Sequence, residues 1–138
     1  KFKIEFSAFV GKKFEKLIKN EILPMTRIIE IQKIGKWWGF TRNEKERETI
    51  EIDVAALNNN TKEILFCECK WQEKVDAEKI LQKLKEKAKH IEWPDKGEHE
   101  RKEYYAIFAK SFRDISKIKE KNVYTYNLKD IEEIVNKR

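Results

Sequence analysis

Apolar positions along this chain follow two periods, and the points where the period changes divide it into elements. Val10, Phe14, Leu17, Ile18 and Ile22 recur at helical spacing, with Ser7 before them as an N-cap and Pro24 after them. That spacing predicts a helix from Ser7 to about Leu23. Glu15 shares an edge of the stripe with Gly11, Ile18 and Ile22, so it faces partly inward. An extended segment, Arg27 to Ile34, leads into GKWWGF and a charged loop, TRNEKERE. Thr49 to Leu57 then alternates. Ile50, Ile52, Val54 and Ala56 are expected on one strand face, and Glu51, Asp53, Ala55 and Leu57 on the other. NNNTK reads as a turn and Ile64 to Trp71 as the next strand.

Asp76 can cap a second helix whose inward positions are Ala77, Ile80, Leu81, Leu84, Ala88 and Ile91. After a polar loop, EWPDKGEHERKE, the short apolar run YYAIFAK suits a strand covered on both faces. NVYTY is a further strand. Asn127, with Asp130 three residues on, opens a last helix containing Leu128, Ile131, Ile134 and Val135. The order is α-β-β-β-α-β-(α)-β-α, an α/β sandwich around a mixed sheet, with no internal repeat and no domain boundary.

With 138 residues the chain is long enough for one domain with a real core. Its 12% aromatic content and clear periodicity exclude a disordered segment, although 41% of its residues are charged. The net charge of +6 leans towards a polyanionic partner, but 25 acidic residues dilute the 31 basic ones. Cys67 and Cys69 point to the same face of one strand and are badly placed to bridge each other. A reducing, cytoplasmic setting is expected. No apolar run approaches membrane-spanning length, and there is no secretory segment. The chain begins at Lys1 and not at Met, which suggests a fragment of a longer protein.

The stretch ILFCECKW places two charges inside an apolar strand. Alternation puts Ile64, Phe66, Glu68 and Lys70 on one face, and Leu65, Cys67, Cys69 and Trp71 on the other. Charged side chains are rarely buried unless paired or used. If the strand before it pairs as a hairpin, Asp53 approaches Glu68, and two close carboxylates repel unless a cation neutralises them. Magnesium takes such an oxygen-rich corner, can polarise a phosphoryl oxygen and lowers the pKa of a bound water. Lys70, on the same face, can stabilise developing charge or hold the attacking water.

These residues resemble the PD-(D/E)XK nuclease superfamily, the fold of restriction endonucleases and archaeal Holliday-junction resolvases. The core order α-β-β-β-α-β matches, Asp53 stands where the family's first acid falls, and Glu68-Cys69-Lys70 stands where its (D/E)-x-K falls. Ile52 replaces the proline of the motif. Glu15 matches a glutamate that many members use to help the metal or its water. More narrowly, FVGKKFEKLI, GKWWGF, EIDVAAL and FCECKW look like the C-terminal nuclease-like domain of a group of archaeal P-loop ATPases. The resemblance implies a restriction-endonuclease-like three-layer sandwich, and DNA cleavage with Mg2+ (or Mn2+) held by Asp53 and Glu68. It also implies an N-terminal ATPase and a winged-helix module elsewhere in a longer chain. There is no glycine-rich phosphate loop in these residues. A fold of this kind can outlive its activity, so a catalytically inactive module binding nucleic acid or a partner protein is the alternative.

Competing readings attach to each residue. Glu68 and Lys70 can form a plain ion pair at an exposed strand end, and Asp53 can simply end its strand. Glu15 is an ordinary acid on a highly charged helix. Cys67, Cys69, His90 and His99 lack zinc-ligand spacing. Trp37 and Trp38 suit stacking on unpaired bases, with Lys36 and Arg42 nearby, or packing with one ring inward and one against a partner. The lysines at 79, 83, 85, 87 and 89 read as a solvated helix face. A literal Pro94-Asp95 followed by Glu100-Arg101-Lys102 lies in a polar loop with no strand before it, so nothing holds its carboxylates together.

Overall fold

The first helix is longer at both ends than its apolar stripe predicts. The computed structural model describes residues 2–40, 48–94, 100–115 and 118–137, with side chains from residue 10 onward and that of residue 40 excepted. Helix α1 spans Phe2–Leu17, so Ser7 lies inside the helix and does not cap it. Pro24 does not stop it either. A π-turn over Ile18–Ile22, in which the Leu23 N–H reaches back to the Ile18 carbonyl, leads into α2 (Leu23–Thr26). Proline disrupts a regular helix through its missing N–H and through its ring striking the carbonyl four residues back. The widened turn takes Pro24 off that ladder. It also rotates the chain so that Ile22 and Leu23 are both buried, while Leu17 of the expected stripe is exposed. Arg27, with φ at 55°, ends the helix in the left-handed region.

Among the described residues five strands form one sheet in the order β1-β2-β3-β4-β5: Lys33–Phe40, Thr49–Asn58, Glu63–Lys70, Lys102–Ala109 and Val123–Tyr126. Residues 27–32 precede β1 outside the strand, tied to β2 where the Gln32 N–H donates to the Leu57 carbonyl. Strands β1, β2 and β3 pair antiparallel, whereas β3, β4 and β5 run parallel. Helix α3 (Ala77–Ala88) makes the crossover from β3 to β4, and α4 (Leu128–Asn136) closes the described chain. The caps expected at Asp76 and Asn127 are present, the latter as a reciprocal capping box with Asp130. Among the described residues no helix lies between β4 and β5.

The core has two halves, one on each sheet face. Phe14, Ile18, Ile22 and Leu23, together with Ile131 of α4, pack on Val54, Ala56, Leu65, Cys67, Ala106 and Phe108. On the other face Ala77, Leu81, Leu84 and Ala88 of α3 pack on Ile52, Ile64, Phe66, Tyr105 and Ile107. This is an α/β fold with helices on both sides of a mixed sheet. The even alternation expected for β2 is corrected here: Ile52 packs under α3, but Val54 and Ala56 pack under α1. The reason is a β-bulge. Gly35 pairs with Ala55 but Trp37 pairs with Ile52, so Asp53 and Val54 together oppose Lys36. One extra residue flips every later side chain to the opposite face.

Candidate active site

The bulge sits where β2 parts from β3. Their pairing runs from Asn58 and Glu63 to Val54 and Cys67. Beyond it Glu68, Cys69 and Lys70 remain paired with β4. In the gap, the Cys69 N–H donates to Asp53 Oδ2 at 3.2 Å, so a side-chain carboxylate stands in for a strand partner. That contact holds Asp53 close enough for its charge to act on Glu68.

Glu68 is 5% exposed and, with Asn58, is one of two buried polar residues among those described. Asn58 has a structural task. Its amide donates to the Glu30 carbonyl, and its Oδ1 accepts from the Asn60 and Thr61 N–H groups, which closes the turn after β2. Glu68 instead meets Asp53 and the Lys87 ammonium, whose Nζ lies 3.2 Å from Glu68 Oε1. Burial first, and then the charge and hydrogen bond of Asp53, push the Glu68 carboxyl up to about 7, against the pull of Lys87 and Lys70.

Asp53, Glu68 and Lys70 line one cleft of about 950 Å3, with Lys79, Lys83 and Lys87 of α3 on its wall. Glu15 is not among the lining residues of that cleft. It lies on α1, and its carboxyl is raised by burial and by Asp53, with Lys36 opposing both. Lys36 Nζ is 3.6 Å from Glu15 Oε1 and 2.6 Å from Glu51 Oε1. Asp53 is therefore close enough to act on two other carboxylates, Glu68 and Glu15. The three acids and Lys70 come together as one electrostatic unit, and the exposed-pair reading of Glu68 is set aside by its burial.

Residues 1–80 match DUF234, a family of archaeal and bacterial proteins of unknown function. The chain belongs to that family. The segment matched to DUF234 carries Glu15, Asp53, Glu68 and Lys70 and ends inside α3. An uncharacterized protein of Methanocaldococcus jannaschii is 33% identical over an alignment of 114 residues, and the match covers 78% of this chain and 23% of that protein. The chain thus spans about a quarter of the length of this curated relative. No solved structure matches it. Among the described residues no helix is long and apolar enough to cross a membrane.

Whether the site suits a metal is decided by its donors. Among the described residues no three His, Cys, Asp or Glu side chains gather as a ready cage. Cys67 is buried in the core, and His99 lies outside the described residues. Asp53 and Glu68 offer carboxylate oxygens, the hard donors that Mg2+ and Mn2+ take, and Mg2+ keeps several waters and needs one or two carboxylates. The Glu68 carboxyl is raised first by burial and then by Asp53, and a cation beside it would relieve both, so the residues fit.

Two participants escaped the sequence reading. Lys87 is half-buried and reaches Glu68, which corrects the reading of the α3 lysines as only a solvated face. A signal existed: Ile80, Leu84, Lys87 and Ile91 share one helix edge, and the lysine interrupts an apolar row. Lys36 gave no such signal, because its role depends on the bulge opposite it. Of Trp37 and Trp38, one ring turns inward and the other outward. Trp37 packs towards α3 with its ring over Gly39, and Trp38 is 64% exposed. Arg42 and Asp95 lie outside the described residues. Arg101 is structural: its guanidinium donates to the Ala88, Ile91 and Trp93 carbonyls and to Glu103.

Proposed function

We propose that this chain is a PD-(D/E)XK-like nuclease domain that hydrolyses DNA phosphodiester bonds with Mg2+ or Mn2+. The observation that carries the reading is the buried Glu68 carboxyl beside the half-buried Asp53, with Lys70 in the same lysine-walled cleft. A chain that needed only a stable fold would not bury one acid against another. Asp53 and Glu68 would hold the ion. When bound, the ion supplies Lewis-acid polarisation of a phosphoryl oxygen and an acidified water. Lys70 would neutralise charge developing on the phosphoryl group or orient the attacking water. Glu15, whose own carboxyl is raised by burial and by Asp53, would assist from the α1 side. The α3 lysines suit the phosphate backbone of the substrate. The greater length of the M. jannaschii relative agrees with a domain working inside a longer protein, for which ATPase and winged-helix modules remain the proposal.

The test is nicking of supercoiled plasmid by the purified chain. Cleavage is expected with Mg2+ or Mn2+ and not in EDTA. Lys70→Ala should lose turnover while retaining DNA binding, since the lysine acts on the transition state. Cleavage by Lys70→Ala at the wild-type rate would remove this mechanism. A second reading, an inactive nuclease-fold module that binds nucleic acid or a partner protein, is favoured by one contact: the Lys87 ammonium already neutralises Glu68. DNA binding without cleavage under either metal selects it.

A further inference from the structure

The five lysines of the α3 region do not share one task. Lys85 is committed to Glu120, and Lys89 to Glu86. Lys79 and Lys83 line the cleft wall. Lys87 reaches a buried carboxylate of the sheet, with its Nζ 3.2 Å from Glu68 Oε1. Its target is nearly inaccessible, with a side chain 7% exposed, while the lysine itself remains 35% exposed. The anion is fixed by strand β3, and the cation sits at the end of a long arm that opens onto the cleft. A lysine is a compact point charge on a flexible stem, so this partner can leave while Glu68 cannot.

A divalent cation entering between Asp53 and Glu68 would meet Lys87 on the same carboxylate. Like charges that close repel strongly wherever water is scarce. The room available to Lys87 lies outward, in the cleft lined by Lys70, Lys79 and Lys83, where a polyanionic backbone would run. We infer that Lys87 is an exchangeable counter-ion of Glu68: it holds the carboxylate when no metal is bound, and metal binding transfers it to a phosphate of the substrate. This rests on the metal-binding reading of Asp53 and Glu68. It makes Lys87 a positioning and charge-balancing residue, with opposite effects on the two ligands.

Mn2+ titration by calorimetry, without nucleic acid, separates the possibilities. Lys87→Ala should tighten Mn2+ binding by roughly tenfold, the worth of a charged hydrogen bond that no longer competes. Lys83→Ala removes the same charge one turn away on the same cleft wall, and should change Mn2+ affinity far less. In Ca2+, Lys87→Ala should bind a short duplex more weakly than the wild type. Circular dichroism and melting confirm that each variant is folded. Mn2+ binding that is unchanged or weaker in Lys87→Ala, with the wild type binding normally, overturns the counter-ion role and leaves the nuclease reading standing. Absence of Mn2+ binding by the wild type overturns both. Equal tightening in Lys87→Ala and Lys83→Ala reduces the effect to general charge and also overturns the proposal.

Discussion

Glu68 lies almost wholly buried beside Asp53, so ionising it adds a second negative charge to a corner that already holds one. Its carboxyl, ordinarily near 4.5, titrates near 7 in the folded chain. Below about 4.5 both folded and unfolded chains carry the proton, and the group costs nothing. Between 4.5 and 7 the folded state alone keeps it, so rising pH removes stability, and above 7 the full cost is present, roughly 3 kcal/mol. In EDTA, Glu68→Gln should therefore melt above the wild type at pH 8, and most of that gain should vanish at pH 5. An equal offset at both pH values would mean that Glu68 is not held protonated. Asp53→Asn should also melt at or above the wild type at pH 8 in EDTA. Its amide oxygen can still accept the Cys69 N–H, while the repulsion is gone. Magnesium should then stabilise the wild type by about 2.7 kcal/mol at a hundredfold excess over its Kd, and the variant hardly at all. Identical magnesium responses would move the metal away from Asp53. These acids were legible because a glutamate and a lysine two apart in an apolar strand break a simple rule. Lys87 was harder to see, because whether a helix lysine reaches a strand carboxylate depends on how α3 seats on the sheet.

At the scale of elements, periodicity located β2 to β5, α3 and α4, placed the first strand too early, over Arg27 to Ile34 where β1 is Lys33–Phe40, and missed how the elements join. The β2 sequence alternates without fault, yet Asp53 is aimed by a bulge that exists only through pairing with β1. The same holds for the π-turn, since Pro24 normally marks a helix end and here the widened turn absorbs it. Arg101 belongs to this scale too. It lies within the sequence triplet that mimics a catalytic motif, but it binds the last carbonyl of α3, at Ala88, and those of Ile91 and Trp93 just beyond, and covers the Phe66 ring at 5.6 Å from its centroid. Backbone carbonyls at a helix end need partners, and a guanidinium can serve several at once. Arg101→Met should destabilise the chain by roughly 2–4 kcal/mol in urea unfolding, because buried acceptors lose a charged donor. Amide exchange at Lys89, His90 and Ile91 should quicken before the rest of α3. Lost cleavage with unchanged stability and exchange would make the triplet reactive after all.

For the molecule as a whole, the distribution of charge matters more than its sum. A net +6 made of 31 basic and 25 acidic residues says little about a partner, which is why composition alone carried no function. The fold makes it specific by turning Lys79, Lys83 and Lys87 towards the cleft that holds Asp53 and Glu68, along about 12 Å of helix. Lysine ammonium groups on phosphates fix position without reading bases, and they release counterions as they bind. DNA binding in Ca2+ should therefore be nearly indifferent to sequence and fall steeply with salt. Replacing Lys79 and Lys83 together by Glu should weaken duplex binding at low salt and lower the log–log salt slope by about 2, near 0.9 for each phosphate no longer neutralised. The same reversal at Lys129 and Lys137, at α4 on the opposite sheet face, changes net charge equally. It should leave the slope close to wild type, because exposed charges more than a Debye length of about 10 Å from the bound backbone are largely screened. Fluorescence anisotropy across a salt series reads both double variants directly. Equal weakening by the two pairs would show that overall charge, and not the α3 wall, attracts the nucleic acid, and the cleft would then lose its claim to be the place where a phosphodiester meets Asp53 and Glu68.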